Sequence, residues 1–282
     1  MIAYLFPGQG SQSRGMGNSL FEQFPNYTEE ADAVLGYSIK ALCIEDQQNQ
    51  LQKTQYTQPA LYVVNALTYL KILTDTQQKP DYVAGHSLGE YSALFAAGVF
   101  DFATGLKLVK KRGELMSQAQ NGAMAAVIGL QWQELTQILE EQNLSTITIA
   151  NYNTYQQLVI SGPQADIERA RTFLLSRTGV HFILLPVSGA FHSPYMLEAQ
   201  HTFSAFLNDF KLATPCIPVI ANVNAGLYHP AITKTNLINQ ITHPVRWTNT
   251  IEYLQTKHDM NFQEIGPGKV LSGLVNRIKN KQ

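Results

Sequence analysis

The sequence is short of nearly everything that marks an extracellular, membrane-spanning or nucleic-acid-binding protein. Among 282 residues only Cys43 and Cys216 are cysteines, too few for a disulfide framework or a thiolate zinc site and in keeping with a reducing compartment. No apolar run approaches the ~18 residues of a membrane span. The N-terminal MIAYLFPGQG has neither the basic lead nor the apolar length of a secretion signal. An excess of one charge is missing too: 20 lysines and arginines stand against 21 acidic residues, a formal net charge of −1. That balance leaves no electrostatic footprint for nucleic acid or an anionic membrane. Repeats, low-complexity tracts and flexible linkers are absent as well. The expectation is a cytoplasmic, soluble protein that recognises its partners locally, built as one large domain or a domain with an insertion.

What is present is an alternation of strand-like and helix-like segments, the mark of an α/β architecture. MIAYLF reads as a strand followed by a glycine-rich loop. TQPALYVVNALTYLKIL places Leu61, Val64, Leu67 and Leu70 on a broad helical face. PDYVAGHS reads as a proline stop, a short strand and a turn, after which LGEYSALFAAGVFDF returns to helical spacing. Residues 101 to 120 read as another helix, capped by Asp101. The rhythm then changes. GAMAAVIGL, WQELTQILEEQ, STITIAN, QQLVISG, ADIERARTFLLSR and HFILLPV follow one another as βαββαβ, a ferredoxin-like unit. The spacing predicts a large α/β-hydrolase-like domain with a parallel sheet and a nucleophile elbow, formed by residues 1–121 and 188–282. The ferredoxin-like unit, residues 122–187, is inserted into it. VIANV and NFQEIG read as further short strands of the large domain.

Gly85-His86-Ser87-Leu88-Gly89 fits G-x-S-x-G. The pattern alone reads equally as a tight turn. Its place between a strand and a helix favours the elbow, in which the strained turn exposes Ser87 and aims the Leu88 N–H at the same space. A serine hydroxyl needs a base to take its proton. Seven histidines are available: His86 adjoins Ser87, but neighbouring side chains in an elbow point apart, whereas His192 sits in SGAFHSPY where the chain re-enters the large domain. Spacing alone does not select His192, and no acidic third member can be picked. FPGQGSQSRGMG has Ser13 where a dinucleotide-binding G-x-G-x-x-G needs glycine. That loop could instead bring an amide to an oxyanion hole. Arg112, at the edge of the apolar stripe of its helix, requires an anion if buried, either an internal carboxylate or that of a substrate.

FPGQGSQ, GHSLGE, KRGELM, GAFHS and EIGPGKVL, in that order, resemble the malonyl-CoA:acyl-carrier-protein transacylases over essentially the whole chain. KTQYTQPALYVVNAL and AGHSLGEYSALFAAGVFDFATGLKLVKKRGELM are most similar to the discrete, trans-acting acyltransferases of modular polyketide synthases, with the fatty-acid enzyme as the near alternative. The resemblance implies that Ser87 is the acylated nucleophile and His192 its base. It implies a main-chain carbonyl orienting the histidine at the position matching Arg246 in HPVRW, where many relatives have glutamine. Backbone N–H groups of Gln9 and Leu88 would form the oxyanion hole, and Arg112 would pair with the malonyl carboxylate. Phe191 implies malonyl over methylmalonyl, while His86, Met116 and Asn153 stand as supporting substrate-site positions. The expected partners are malonyl-CoA and an acyl carrier protein, which brings the phosphopantetheine arm; no metal or other cofactor and a monomeric state are expected. Lys107, Lys110, Lys111, Lys269, Arg277 and Lys279 are candidates for meeting an acidic carrier, although a charge run otherwise reads as a solvated face. Two other classes compete: a hydrolase that strips stalled acyl groups from carriers, and a non-catalytic carrier-docking module.

Overall fold

The structure, a computed structural model, describes residues 1–281. The chain opens with β1 (Ile2–Phe6), followed by α1 (Asn18–Gln23), α2 (Pro25–Leu35), α3 (Ile39–Ile44) and the long α4 (Thr54–Thr76). Then come β2 (Tyr82–Gly85), α5 (Gly89–Ala96) and α6 (Phe102–Ser117). A second group holds β3 (Gly122–Ile128), α7 (Trp132–Glu141), β4 (Thr148–Thr154), β5 (Gln157–Pro163), α8 (Gln164–Leu175) and β6 (His181–Leu184). The chain returns through α9 (Leu197–Asn208), β7 (Val219–Ile220), α10 (Thr233–Asn239), α11 (Trp247–Gln255), β8 (Asn261–Glu264) and α12 (Val270–Lys279).

Two four-stranded sheets result. The first runs in the order β7-β2-β1-β8 and is parallel throughout. Alternation along β1 sends Tyr4 and Phe6 to the main hydrophobic core and Ala3 and Leu5 to a second one, so both faces of the strand are buried. The second sheet, in the order β4-β5-β3-β6, is antiparallel. Ala123, Ala125 and Val127 of β3 pack with Leu135 and Ile138 of α7 and Ile167 of α8, while Met124 and Ala126 on its other face join the main core. The edge strand β4 is tied to the larger unit through Tyr152 N–H to Val245 O and Val245 N–H to Ala150 O, both 2.9 Å.

Two readings of the sequence need adjusting. The helical spacing of LGEYSALFAAGVFDF ends at Ala96, because Gly98 takes a φ of +71° and breaks the helix. Asp101 then starts α6, its carboxylate accepting from Thr104 N–H at 2.8 Å. VIANV narrows to a two-residue strand.

Candidate active site

β2 and α5 meet at Ser87, whose φ of +51° lies in the left-handed region that a non-glycine residue occupies only under constraint. The constraint is the close passage of backbone. A Cβ on Gly85 would lie 1.9 Å from the carbonyl carbon of Gly89, and one on Gly89 would lie 2.0 Å from Phe6 O. The loop after β1 closes the same knot, since a Cβ on Gly8 would lie 2.3 Å from His86 O. Asn65 of α4 holds that loop through a 3.0 Å bond from Nδ2 to Pro7 O. Among the described residues neither the Gln9 nor the Leu88 N–H donates to any protein group. Both amides stay free to hold a developing oxyanion.

Ser87 Oγ lies 2.7 Å from His192 Nε2. His192 Nδ1 faces two carbonyls, Gln240 O at 2.7 Å and His243 O at 3.1 Å. Carbonyls only accept, so Nδ1 carries the proton and Nε2 is left as the acceptor for Ser87 Oγ–H. His192, too, has a positive φ, +56°. Burial, followed by the positive charge of Arg112, pulls its pKa down to about 3. The imidazole therefore rests neutral and ready to accept a proton.

Arg112 reaches this pair from α6 and is 1 % exposed. Its Nη2 donates to Ser87 Oγ at 3.2 Å and to Gln240 Oε1 at 3.0 Å, and its Nη1 donates to Gln58 Oε1 at 2.7 Å. Among the described residues no carboxylate lies within salt-bridge distance of it, and its Nε–H is buried without a partner. Of the two alternatives left open by the sequence, the internal ion pair is thus not the one formed. Nearby Glu90 is fully buried; its carboxylate accepts from Tyr228 Oη at 2.6 Å, from Asn222 N–H at 3.1 Å and from Gln240 Nε2. Burial raises its pKa to about 7 against the pull of these bonds and of Arg112.

The structure brings Ser87, His192, Arg112, Leu88 and the Gln9 loop together. Phe191 is buried in the main core beside His192, and Met116 reaches the cluster indirectly, its sulfur 3.4 Å from Gln58 Nε2. His86 points away from Ser87: its Nε2 lies 2.8 Å from Asn153 Oδ1 and its ring packs against Trp247, so the pair links the elbow to β4. Arg246 does not orient the histidine. As the N-cap of α11 its carbonyl accepts from Thr250 N–H and Oγ1, and its side chain lies over the Tyr152 ring. The carbonyl facing Nδ1 belongs to Gln240 instead. Of the basic candidates, Lys110 donates to the carbonyls of Val34 and Leu35 and Arg277 to Gln157. Gln58, Glu90, Asn222 and Gln240 were not visible as site residues. The one local hint is that Gln58 and Glu90 are polar positions on helix segments that are buried along most of their length.

The acyl transferase domain model matches residues 3–277. A "Polyketide biosynthesis malonyl CoA-acyl carrier protein transacylase" of Bacillus subtilis (strain 168) is 55% identical over 280 residues, covering 99% of this chain and 97% of its own. The "Malonyl CoA-acyl carrier protein transacylase" of a Synechocystis species is 42% identical over 98% of this chain and 92% of its own. Among solved structures, a malonyl CoA-acyl carrier protein transacylase from Burkholderia pseudomallei superposes with a TM-score of 0.98 at 49% identity, covering 100% of this chain and 99% of that one. A malonyl-transacylase in complex with its type II PKS acyl-carrier protein superposes with a TM-score of 0.93 at 35% identity, covering 99% of this chain and 93% of that one.

Proposed function

The chain belongs to the acyl transferase domain family, and from that premise we propose that it moves a malonyl group from malonyl-CoA to the phosphopantetheine thiol of an acyl carrier protein, acting in trans for a polyketide synthase. The observation that carries this reading is Arg112: a buried guanidinium with no carboxylate partner, donating to the nucleophile's own oxygen at 3.2 Å. An unpaired buried charge costs several kcal/mol, on the order estimated for broken ion pairs. A malonyl group esterified to Ser87 Oγ carries its carboxylate close to that oxygen and supplies the missing anion.

The reaction runs in two matched halves. Ser87 Oγ attacks the thioester carbonyl as its proton passes to His192 Nε2, and the Leu88 and Gln9 amides hold the oxyanion. The tetrahedral intermediate collapses, the CoA thiolate leaves and takes the proton back from His192, and the malonyl group remains on Ser87. The carrier's thiol then attacks the seryl ester, giving its proton to His192, which returns it to Ser87 Oγ. An oxyanion donor contributes about 10²–10³ in rate and general acid–base catalysis about 10²–10⁴. This scheme calls on no metal or cofactor of the chain's own. Phe191, the buried residue before His192, sets a preference for malonyl over methylmalonyl of about 1–3 kcal/mol. The substrates place the reaction in the cytoplasm.

Intact mass spectrometry after brief exposure to malonyl-CoA and then to a phosphopantetheinylated carrier tests the reading. The malonyl mass is expected on the enzyme and then on the carrier. Ser87→Ala abolishes both, and Arg112→Ala lowers them by about 100-fold. Stripping of preloaded acyl carriers without malonyl transfer would overturn it in favour of a hydrolase.

A further inference from the structure

We propose that Glu90 is a positioning residue that sets the enzyme's preference for acyl groups bearing a free carboxylate, by holding the side-chain amide of Gln240 in place against Arg112. The proposal rests on the malonyl-transfer reading and deepens it.

A glutamine amide has a donor end and an acceptor end of nearly the same shape, and its surroundings decide which points where. Around Gln240 three neighbours agree. Its Nε2 donates to Ser87 O at 2.8 Å and to Glu90, and its Oε1 accepts from Arg112 Nη2 at 3.0 Å. An ionised carboxylate only accepts. Ser87 O and Arg112 set the direction of the amide, and Glu90, accepting from the same NH2 end, holds it there with Oε1 against Arg112.

The arrangement has an electrostatic consequence. The guanidinium is given neutral acceptors, Gln58 Oε1 and Gln240 Oε1, while the negative charge of Glu90 is held one side chain away. Direct contact between Glu90 and Arg112 would make an internal ion pair that an incoming carboxylate must break. Interposing Gln240 keeps the countercharge near enough to lower the cost of burying Arg112, yet leaves its Nε–H unpartnered. Glu90 is itself held from the other side: its Oε1 takes the Tyr228 hydroxyl and the Asn222 N–H. The charged and titratable groups around it are Arg112 from α6, Tyr91 from α5 and Tyr228 from the segment after β7.

Glu90→Gln tests the device directly. Tyr228 and Asn222 both donate to Oε1, so the new amide keeps its oxygen there and presents NH2 to Gln240. That NH2 then opposes the Nε2 of Gln240, donor against donor, and the amide is pushed off its place beside the guanidinium. The measurement is kcat/KM for enzyme acylation by malonyl-CoA and by acetyl-CoA, which lacks the carboxylate. In Glu90→Gln the malonyl-to-acetyl ratio is expected to fall about tenfold or more, through KM for malonyl-CoA, with acetyl-CoA changed less than about threefold. Tyr228→Phe, which removes one donor from Glu90, shifts the ratio the same way by a smaller factor. An unchanged ratio in Glu90→Gln, or an equal loss with both substrates, overturns the proposal. Should Glu90→Gln not accumulate as folded protein, Tyr228→Phe decides, an unchanged ratio again being the negative result. Failure of the wild-type protein to take up malonyl would instead remove the transacylase reading itself.

Discussion

The elbow around Ser87 and the loop around Gln240 serve one site, but they are built in opposite ways. In the elbow the turn itself is written in five consecutive residues, with the loop after β1 closing over it: β2 ends, two glycines let backbones touch, Ser87 takes φ +51° and α5 begins. Gln240 lies just past the end of α10, and its importance comes only from distant partners. Its carbonyl holds His192, its Oε1 accepts from Arg112, and its Nε2 donates to Ser87 O and Glu90. A local device is brittle to steric change and a non-local one to chemical change.

The largest effect should come from breaking the local device. Gly85→Ala forces a Cβ into the Gly89 backbone and should cost more than about 3 kcal/mol, seen as loss of soluble protein or a steep fall in Tm; a stable, active variant would show that the elbow has slack. Breaking the non-local device should spare the fold and harm the chemistry. In Gln240→Ala the main-chain carbonyl still faces His192, but Arg112 and Glu90 each lose a hydrogen bond; malonyl transfer should drop about 100-fold while the protein still folds. Near-normal transfer would place all of Gln240's value in its main chain.

A third test sharpens the contrast through pH. His192 has its pKa depressed, mainly by burial, so the stability it contributes is present above the ordinary histidine value of 6.5 and lost as pH falls toward about 3. Glu90 has its pKa raised, also by burial, so its contribution is present below the ordinary 4.5 and lost as pH rises through about 7. Between about pH 4.5 and 6.5 the two slopes oppose each other. Glu90→Gln removes one of them, and its Tm should climb more steeply with pH across that window than wild type's; superimposable profiles would mean that Glu90 is not titrating there. The smallest effect is expected from Arg246→Ala. The side chain that is lost lies over the Tyr152 ring and donates to Val223 O, with no contact to Ser87, His192 or Arg112, so malonyl transfer should stay within about twofold of wild type.

The same contrast explains what could be read from the sequence. The alternating elements, the parallel and antiparallel sheets and the elbow all follow from periodicity and glycine spacing over a few residues. His192, Arg112 and Phe191 became legible only through ordered motifs that resemble a family, because nothing in their immediate neighbours distinguishes a base from a surface histidine or a clamp from a salt bridge. Glu90 and Asn222 are far apart in sequence, and the bond between them exists only once β2 and β7 pair. HPVRW drew attention to Arg246 only through the resemblance, as the position where many relatives have glutamine, yet the carbonyl that matters comes earlier, where α10 gives out.

Gly8, Gly85 and Gly89 interlock backbone against backbone, with no side chain interposed. In evolutionary terms this makes the nucleophile's seat a fixed inheritance: few single substitutions at those positions leave a viable descendant. Descendants that accept a different acyl group must therefore vary the furniture around the seat, at positions such as Phe191, Met116 and Gln240, while the serine stays where it is.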